Sequence, residues 1–270
     1  MECGVTQTLR SSWTYRALVL LLGMAAVPLA AQTGSPGTER MRSTLMAPST
    51  GPGDPASATA SGHIRDTMAQ RMQPCAMCHG KEGRSTRVGY FPRIAGKPQG
   101  YLFNQLQNFR DGRRRNPAMN HLMQFMTDDY LQEIAAYFSS LELPYPPARP
   151  NGLTPEQVQV AETLVFRGAP QRQIPACVAC HGAKMTGRQP AMPGLLTLPA
   201  DYLIGQLGAW QTGLRHAKAP DCMADVAKRL TADEVSALAN WLSSQAVPAD
   251  PRPVPAGNEP LPIRCGSGER

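Results

Sequence analysis

The stretch C-A-M-C-H at residues 75–79 decides the fold of this chain, and a second copy, C-V-A-C-H, stands at residues 177–181. C-x-x-C-H is the attachment signature of c-type haem: both thiols become thioethers, and the histidine binds iron. Cysteines three positions apart lie on one side of a helical turn, and the next imidazole can point at a metal between them. The sequence therefore predicts two covalently attached haem c groups, with attachment at Cys75, Cys78, Cys177 and Cys180 and iron ligation by His79 and His181.

Two other uses of C-x-x-C are weaker interpretations here. Structural zinc typically joins cysteine pairs that are about 15 to 20 residues apart, whereas about 100 residues and a Pro-rich segment separate these pairs. A thioredoxin-like redox pair needs a βαβ pattern, which the sequence does not show. Each pair is also followed directly by histidine, so haem attachment is the favoured interpretation.

The first 31 residues have the pattern of a secretory signal peptide. Arg10 and Arg16 supply positive charge, residues 17–27 are apolar, and residues 28–31 offer a small-residue cleavage site. The apolar run is shorter than the roughly 20 residues that a membrane span needs, which makes an uncleaved anchor the minority alternative. Export to the periplasm agrees with the chemistry, because c-type haem is attached outside the cytoplasm.

Composition predicts two small domains rather than one large domain. Of the 270 residues 42% are hydrophobic but only 6% are aromatic, so we do not expect a single aromatic-rich core. A covalently held haem would supply apolar core volume to each small domain. Low hydrophobicity and many small residues and prolines predict a disordered leader. The expected organisation is a signal peptide (1–31), a leader (32–62), domain 1 (63–143), a Pro-rich linker (144–152), domain 2 (153–247) and a Pro-rich tail (248–270).

The second domain repeats the helical pattern of the first. A Tyr-Leu-x-x-Gln-Leu stripe with helical spacing begins at Tyr101 and again at Tyr202. The last helix of each repeat follows an N-cap threonine, Thr127 or Thr231, with acidic residues in its first turn. The sequence therefore predicts an all-α fold made of two tandem helical bundles, each around one haem.

The register of the repeats selects a methionine as the second axial ligand of each iron. The offset that aligns Thr231 with Thr127 also aligns Met223 with Met119, and each methionine follows a proline in the loop before the last helix. A thioether opposite histidine gives a closed electron-transfer haem. We therefore predict Met119 and Met223 as iron ligands. Four other side chains could compete for these positions. We expect Met123 and Met126 to pack in the core, and His121 and His216 to lie in exposed loops.

Two cysteines, Cys222 and Cys265, remain after haem attachment, since Cys3 should be lost with the signal peptide. An even pair in an exported protein suggests a disulfide. Because Cys222 adjoins Met223, this bond would tie the tail across the distal loop of the second haem. Free thiols, or iron ligation by Cys222, are the alternatives.

The formal net charge of +7 and the pI of about 9.2 do not indicate nucleic-acid binding. The haem propionates would offset part of the charge, and no basic stretch alternates with aromatic residues as a single-strand binding groove would. The run Arg113–Arg115 is expected to be a solvated loop that could dock an acidic partner. The expected partners are redox proteins, and membrane contact is expected only through docking or a retained signal.

Both halves present the same features in the same order: the C-x-x-C-H motif, a crossover at Phe91-Pro92 or Met192-Pro193, the Tyr-Leu-x-x-Gln-Leu helix and the methionine loop. On these motifs, residues 63–246 resemble the dihaem cytochromes c of the cytochrome c4 family. The resemblance implies two class I cytochrome c domains that face each other, with haem propionates near their interface and electrons passing between the irons. Cys222, the long leader and the Cys-containing tail depart from the family pattern.

The resemblance and the matching methionines predict an electron carrier rather than an enzyme. It would pass single electrons in the periplasm from a donor to a respiratory acceptor such as a terminal oxidase. One alternative is a catalytic dihaem cytochrome that oxidises sulfur compounds, with the second haem open or ligated by Cys222. Another is the cytochrome subunit of a dehydrogenase complex.

Overall fold

The structure is a computed structural model that describes residues 66–86, 90–148, 150, 152–257 and 260–268. The predicted signal peptide and leader lie outside the described residues. In the part of the chain that is described, no helix is both long enough and apolar enough to cross a lipid bilayer.

Helices dominate the first repeat, and the haem motif lies on one of them. The helices are α1 (Met68–Arg71), α2 (Gln73–His79), α3 (Gln99–Arg110), α4 (Pro117–Met123) and α5 (Asp128–Ser139). Helix α2 carries the first C-x-x-C-H motif, and a single 3-10 turn, Lys81–Gly83, follows it. Thr127 caps α5, since its side chain accepts a hydrogen bond from the Tyr130 N–H.

The second repeat has the same order of helices. These are α6 (Pro155–Phe166), α7 (Cys177–His181), α8 (Ala200–Gln211), α9 (Cys222–Ala227) and α10 (Ala232–Ser244), with a 3-10 turn at Pro170–Arg172. Thr154 and Thr231 each begin a helix with a full capping box. A two-residue antiparallel ladder joins β1 (Gly187–Arg188) to β2 (Met192–Pro193). The predicted all-α class is confirmed, with this short ladder as the addition.

The segments that carry the predicted methionine ligands are short helices rather than loops. The Asn116 side chain accepts from the Met119 N–H at 3.1 Å, and Pro117 occupies the first helical position of α4. In α9 the Asp221 side chain accepts from the Ala224 N–H at 3.1 Å. Reading both segments as loops was wrong because these polar caps and the proline start a helix.

Each repeat has its own hydrophobic core. In the first repeat α3 packs against α5, with Phe103, Leu131 and Phe138 buried between them. In the second repeat α10 packs against both α6 and α8 around Val165 and Leu238. Burying each such side chain stabilises the fold by about 1.5–3 kcal/mol. Both cores extend to the haem motifs, since Cys75 packs against the first and Cys177 against the second.

The Pro-rich tail is attached to the folded repeats rather than free. The Gln189 N–H donates to the Val254 carbonyl at 2.8 Å, and the Gly266 N–H donates to the Pro220 carbonyl at 2.9 Å. At its far end, the Asn104 side-chain amide donates to the Ser267 carbonyl at 3.1 Å. The tail therefore runs along the second repeat and reaches helix α3 of the first.

Candidate functional site

One cavity of about 460 Å³ extends between the two repeats. Its lining is mostly apolar, as a haem pocket requires, and residues of both C-x-x-C-H motifs form part of its wall. The predicted site residues that line it are Cys75, Cys78, His79, Met119, Cys177, Cys180, His181 and Met223. The structure thus brings all the residues predicted from the motifs and from the repeat register to one continuous space.

A backbone carbonyl orients each motif histidine. His79 Nδ1 lies 3.0 Å from the Pro92 carbonyl oxygen, and His181 Nδ1 lies 2.8 Å from that of Pro193. A ring that donates through Nδ1 keeps its lone pair on Nε2, the nitrogen available to iron. Desolvation lowers the pKa of both histidines, against the opposing effect of these hydrogen bonds, so the rings are neutral and able to bind a metal.

The four motif cysteines are unbonded thiols, of which Cys75, Cys177 and Cys180 are half-buried and Cys78 is exposed. Desolvation raises the pKa of Cys75 and Cys180, and it raises the pKa of Cys177 to about 12. A redox-active C-x-x-C pair needs a lowered thiol pKa, so this environment does not fit the thioredoxin-like alternative. Thiols held beside an apolar cavity do fit thioether attachment. In the described residues, no group of three or more His, Cys, Asp or Glu side chains is arranged to hold a metal ion.

Both predicted methionines are half-buried at the cavity wall, with Met119 at the third position of α4 and Met223 at the second of α9. Met123 and Met126 also line the cavity, and Met123 is buried in the first core. The rival histidines, His121 and His216, are exposed. Neither of them is among the described residues that line this cavity.

Cys222 and Cys265 form a disulfide, with a Cα–Cα distance of 4.9 Å. Both cysteines line the cavity beside Met223, so the bond ties the tail to the distal side of the second repeat. The disulfide alternative is the one that the structure contains. The Cys222 sulfur is therefore not available as an iron ligand in this structure.

Two buried arginines meet where the repeats face each other. Arg114 donates to Gln105 Oε1 at 3.0 Å and, across the interface, to Gln206 Oε1 at 2.7 Å and to the Tyr202 hydroxyl at 2.8 Å. Arg215 donates to the same two glutamine oxygens, at 2.8 Å to Gln206 and 2.9 Å to Gln105. Desolvation and the neighbouring Arg114 lower the pKa of Arg215 to about 10, so its guanidinium is still charged at neutral pH.

The cavity wall contains hydrogen-bond donors that the protein does not fully use. Trp210 Nε1 and Ser267 Oγ are buried without a partner among the described residues, and both line the cavity. Arg114 and Arg215 line it too, and no ion pair of either with a carboxylate occurs in the described residues. Buried donors without acceptors are costly unless a ligand satisfies them. Donors and cations beside an apolar cavity fit a haem, whose carboxylates they can bind.

Sequence reasoning missed this interface cluster. Arg114 was read as part of a solvated run, which was wrong because its side chain is buried, whereas Arg115 is exposed. A signal was present: Arg114 and Arg215 are separated by the same 101 residues as Tyr101 and Tyr202. Charged residues that recur in register with a buried stripe are candidates for an interface.

Two attachment motifs, two carbonyl-oriented histidines and one apolar cavity with buried cationic donors define a dihaem c-type cytochrome. A family model described as cytochrome c matches residues 69–142. A thiosulfate dehydrogenase electron acceptor from Stutzerimonas stutzeri (strain A1501) is 36% identical over 63% of this chain and 78% of its own length. Cytochrome c4 from Thiocapsa roseopersicina is 32% identical over 62% of this chain and 85% of its own.

A solved structure agrees with these relatives. Crystalline reduced cytochrome c4 from Pseudomonas stutzeri has a TM-score of 0.57 and 28% identity, covering 65% of this chain and 95% of that one. The chain belongs to the cytochrome c4 family of dihaem cytochromes c. It binds haem c covalently through Cys75 and Cys78 at one motif and through Cys177 and Cys180 at the other.

Proposed function

We propose that this protein carries single electrons in the periplasm through two haems, each ligated by histidine and methionine, and that its donor is a thiosulfate-oxidising dehydrogenase. The observation that carries the proposal is the duplication of the site. Both repeats present a cysteine pair, a carbonyl-bound histidine and a methionine to the same cavity. Bound haem c supplies iron that exchanges one electron.

Met119 and Met223 are the proposed sixth ligands. Both line the cavity from short capped helices that precede the last helix of their repeat. The rival histidines, His121 and His216, are exposed. A histidine on one side and a thioether on the other leave no open coordination position, which is typical of electron transfer rather than substrate chemistry.

The interface residues support passage between the two sites. Arg114 and Arg215 each hydrogen-bond glutamines of both repeats, which fixes how the repeats face each other. Their charges also offer partners for haem carboxylates in a region where water is excluded. We infer that this cluster holds the two haem sites at one constant separation and orientation.

The disulfide supports the carrier over the catalytic alternative. A catalytic second haem ligated by Cys222 needs a thiolate at that residue, and this sulfur is bonded to Cys265. The proposed donor follows from the relative named as a thiosulfate dehydrogenase electron acceptor. A respiratory acceptor such as a terminal oxidase completes the proposal, and the predicted signal peptide supports a periplasmic location.

The axial ligands can be tested one haem at a time. We expect Met119→Leu and Met223→Leu each to abolish the Met-sulfur charge-transfer band of one haem in the oxidised visible spectrum and to lower its reduction potential. Met123→Leu, at a cavity-lining methionine of the same repeat as Met119, is the matched control and should keep both bands. If either ligand variant retained both bands, that methionine would not be an axial ligand.

The carrier function and the donor can be tested together in solution. Thiosulfate alone should not turn over with the purified dihaem protein, whereas thiosulfate plus a thiosulfate dehydrogenase should reduce both haems. Turnover with thiosulfate and an artificial acceptor, without the dehydrogenase, would make the protein an enzyme. No reduction in the presence of the active dehydrogenase would reject that donor.

A further inference from the structure

Lys97 is a buried cation that crosses from the first repeat to the second. It precedes α3, its residue is only 5% exposed, and its ammonium donates to the Gly194 carbonyl at 2.6 Å. Burying an ammonium is costly, and no carboxylate among the described residues forms an ion pair with it. This cost makes Lys97 a candidate for a functional role.

The position of Lys97 relates it to the haem site of the second repeat. Gly194 follows Pro193, whose carbonyl receives the His181 Nδ1–H at 2.8 Å. The ammonium therefore binds the carbonyl next to the one that orients His181. The Lys97 charge is also felt at this imidazole, since it contributes, after desolvation, to lowering the pKa of His181.

The second repeat has no equivalent of this cation. Lys97 and Pro98 precede α3 as Leu198 and Pro199 precede α8, so the residue in the corresponding position is apolar. Arg93 is a cation of the first repeat whose charge lowers the pKa of Lys97. Its guanidinium is turned to the carbonyls of Leu143 and Pro144.

We propose that the positive charge of Lys97 raises the reduction potential of the haem attached at residues 177–181. Reduction lowers the net charge at the iron by one, so a nearby cation in a medium of low dielectric constant favours the reduced state. The inference rests on the proposed electron-carrier function. It adds a source of difference between two sites whose ligands are otherwise the same.

The proposal predicts a pH dependence because the charge can be lost. Desolvation, and secondarily the charge of Arg93, lower the pKa of Lys97 to about 7. The ammonium is therefore charged at pH 6 and mostly neutral at pH 9. The titratable and charged groups coupled to it in the described structure are Arg93 and His181.

The test is a spectroscopic redox titration of the full-length dihaem protein at pH 6 and pH 9. The variants are Lys97→Met, which removes charge and hydrogen bond, and Lys97→Gln, which removes the charge but keeps a donor for Gly194. Lys184→Met is the matched control, because Lys184 lies three residues after His181 and is exposed to solvent, where its charge is screened. The midpoint that moves in Met223→Leu identifies the second haem.

At pH 6 we expect both Lys97 variants to lower the second midpoint by at least a tenfold change in the redox equilibrium, which is 59 mV for one electron. The midpoint of the first haem in the Lys97 variants, and the midpoint of the second haem in Lys184→Met, should move less. The difference between the Lys97 variants and the wild type should shrink at pH 9, where Lys97 is mostly neutral. An unchanged second midpoint in both variants, with intact spectra, would overturn the proposal. If Lys97→Gln kept the wild-type midpoint while Lys97→Met lowered it, the proposal would also be overturned, because the hydrogen bond to Gly194 rather than the charge would set the potential. Absence of the Met-sulfur charge-transfer band from the oxidised wild-type protein would instead contradict the proposed function.

Discussion

At the scale of single residues, the backbone immediately after each iron-binding histidine permits little change. Gly80 follows His79 with φ +75°, and Gly182 follows His181 with φ +84°. A Cβ at Gly80 would overlap the Ser85 carbonyl oxygen. A hydrogen bond from the Ser85 N–H to the His79 carbonyl, at 2.7 Å, also closes the loop of residues 79–85. The residue after each ligand therefore needs both a positive φ and the absence of a side chain.

We expect Gly80→Ala to destabilise the dihaem protein more than Gly112→Ala. Gly112 has a similar φ of +73°, but a Cβ there would meet no atom within 4 Å. The control, Gly112→Ala, should lower the free energy of unfolding by about 1 kcal/mol, for the left-handed backbone alone. Gly80→Ala should lower it by several kcal/mol more, because the added Cβ also overlaps Ser85. Denaturant unfolding followed by the haem absorbance measures both. Equal losses would mean that the loop at Ser85 moves aside without cost.

The buried Lys97 should make stability depend on pH. Its pKa is about 7 in the folded protein, against 10.5 for a free lysine. Between these values the unfolded chain binds more protons than the folded one, so the free energy of unfolding should rise with pH from about 7 to about 10, by a few kcal/mol. Lys97→Met should flatten this rise. The measurement is the denaturation midpoint of the wild type and of Lys97→Met across this pH range. The same rise in both proteins would contradict the assignment of the pH dependence to Lys97.

At the scale of elements, the disulfide between Cys222 and Cys265 joins α9 to the tail. It closes a segment with a sequence separation of 43, which in the loop-entropy description stabilises the fold by about 4 kcal/mol. The tail otherwise relies on isolated hydrogen bonds such as that between Gln189 and Val254. Its prolines lack the N–H groups of a regular strand.

We therefore expect replacement of both cysteines by serine to lower the stability by an amount of that order. It should also speed hydrogen exchange at the Val254 amide, which donates to the Gly187 carbonyl, because the tail loses its covalent anchor. If Met223 is the ligand that we propose, the Met-sulfur band of the second haem will report whether α9 keeps its position. Unchanged exchange would show that the hydrogen bonds alone hold the tail.

The helices with local signals could be predicted from the sequence, and those without could not. Thr127 and Thr231 mark the starts of α5 and α10 because an N-cap and its acidic first turn are encoded within a few residues. Helices α4 and α9 were read as loops because each is only six or seven residues long, too short for a hydrophobic period to appear. The path of the tail depends on contacts with residues far away in the sequence, which no local pattern contains.

At the scale of the whole molecule, a polar cluster joins the two repeats beside the cavity between them. Arg114 and Arg215 share both acceptors, Gln105 and Gln206, and each guanidinium stacks on an aromatic ring of its own repeat. Removing one guanidinium therefore changes the hydrogen bonds and the repulsion felt by the other. The two residues should behave as a unit.

A double-mutant cycle on Arg114→Met and Arg215→Met tests this unit. We expect each single change to destabilise the protein and the two effects to depart from additivity by about 1 kcal/mol or more. The control cycle pairs Arg114→Met with Arg172→Met, because Arg172 binds Glu234 away from the interface. That pair should be additive within about 0.5 kcal/mol. An additive Arg114–Arg215 cycle would mean that the shared acceptors carry no coupling.

The chemistry of the site could be predicted from the sequence, but its surroundings could not. Haem attachment is encoded within five residues, and the duplicated register led to Met119 and Met223, which line the cavity and whose binding to iron stays a prediction. Lys97 meets Gly194, and Arg114 meets Gln206, only because the two repeats dock in one particular way. Helical periodicity describes each repeat by itself and contains no information on that docking.

The cross-link between Cys222 and Cys265 has a consequence for the biogenesis of the protein. Of its seven cysteines, four must stay reduced until the porphyrin vinyl groups reach them, while two must oxidise with each other. Cys265 follows both C-x-x-C-H motifs in the chain, so its correct pairing is favoured when thioether formation comes first. A host that oxidises thiols faster than it ligates porphyrin would instead trap scrambled, colourless chains.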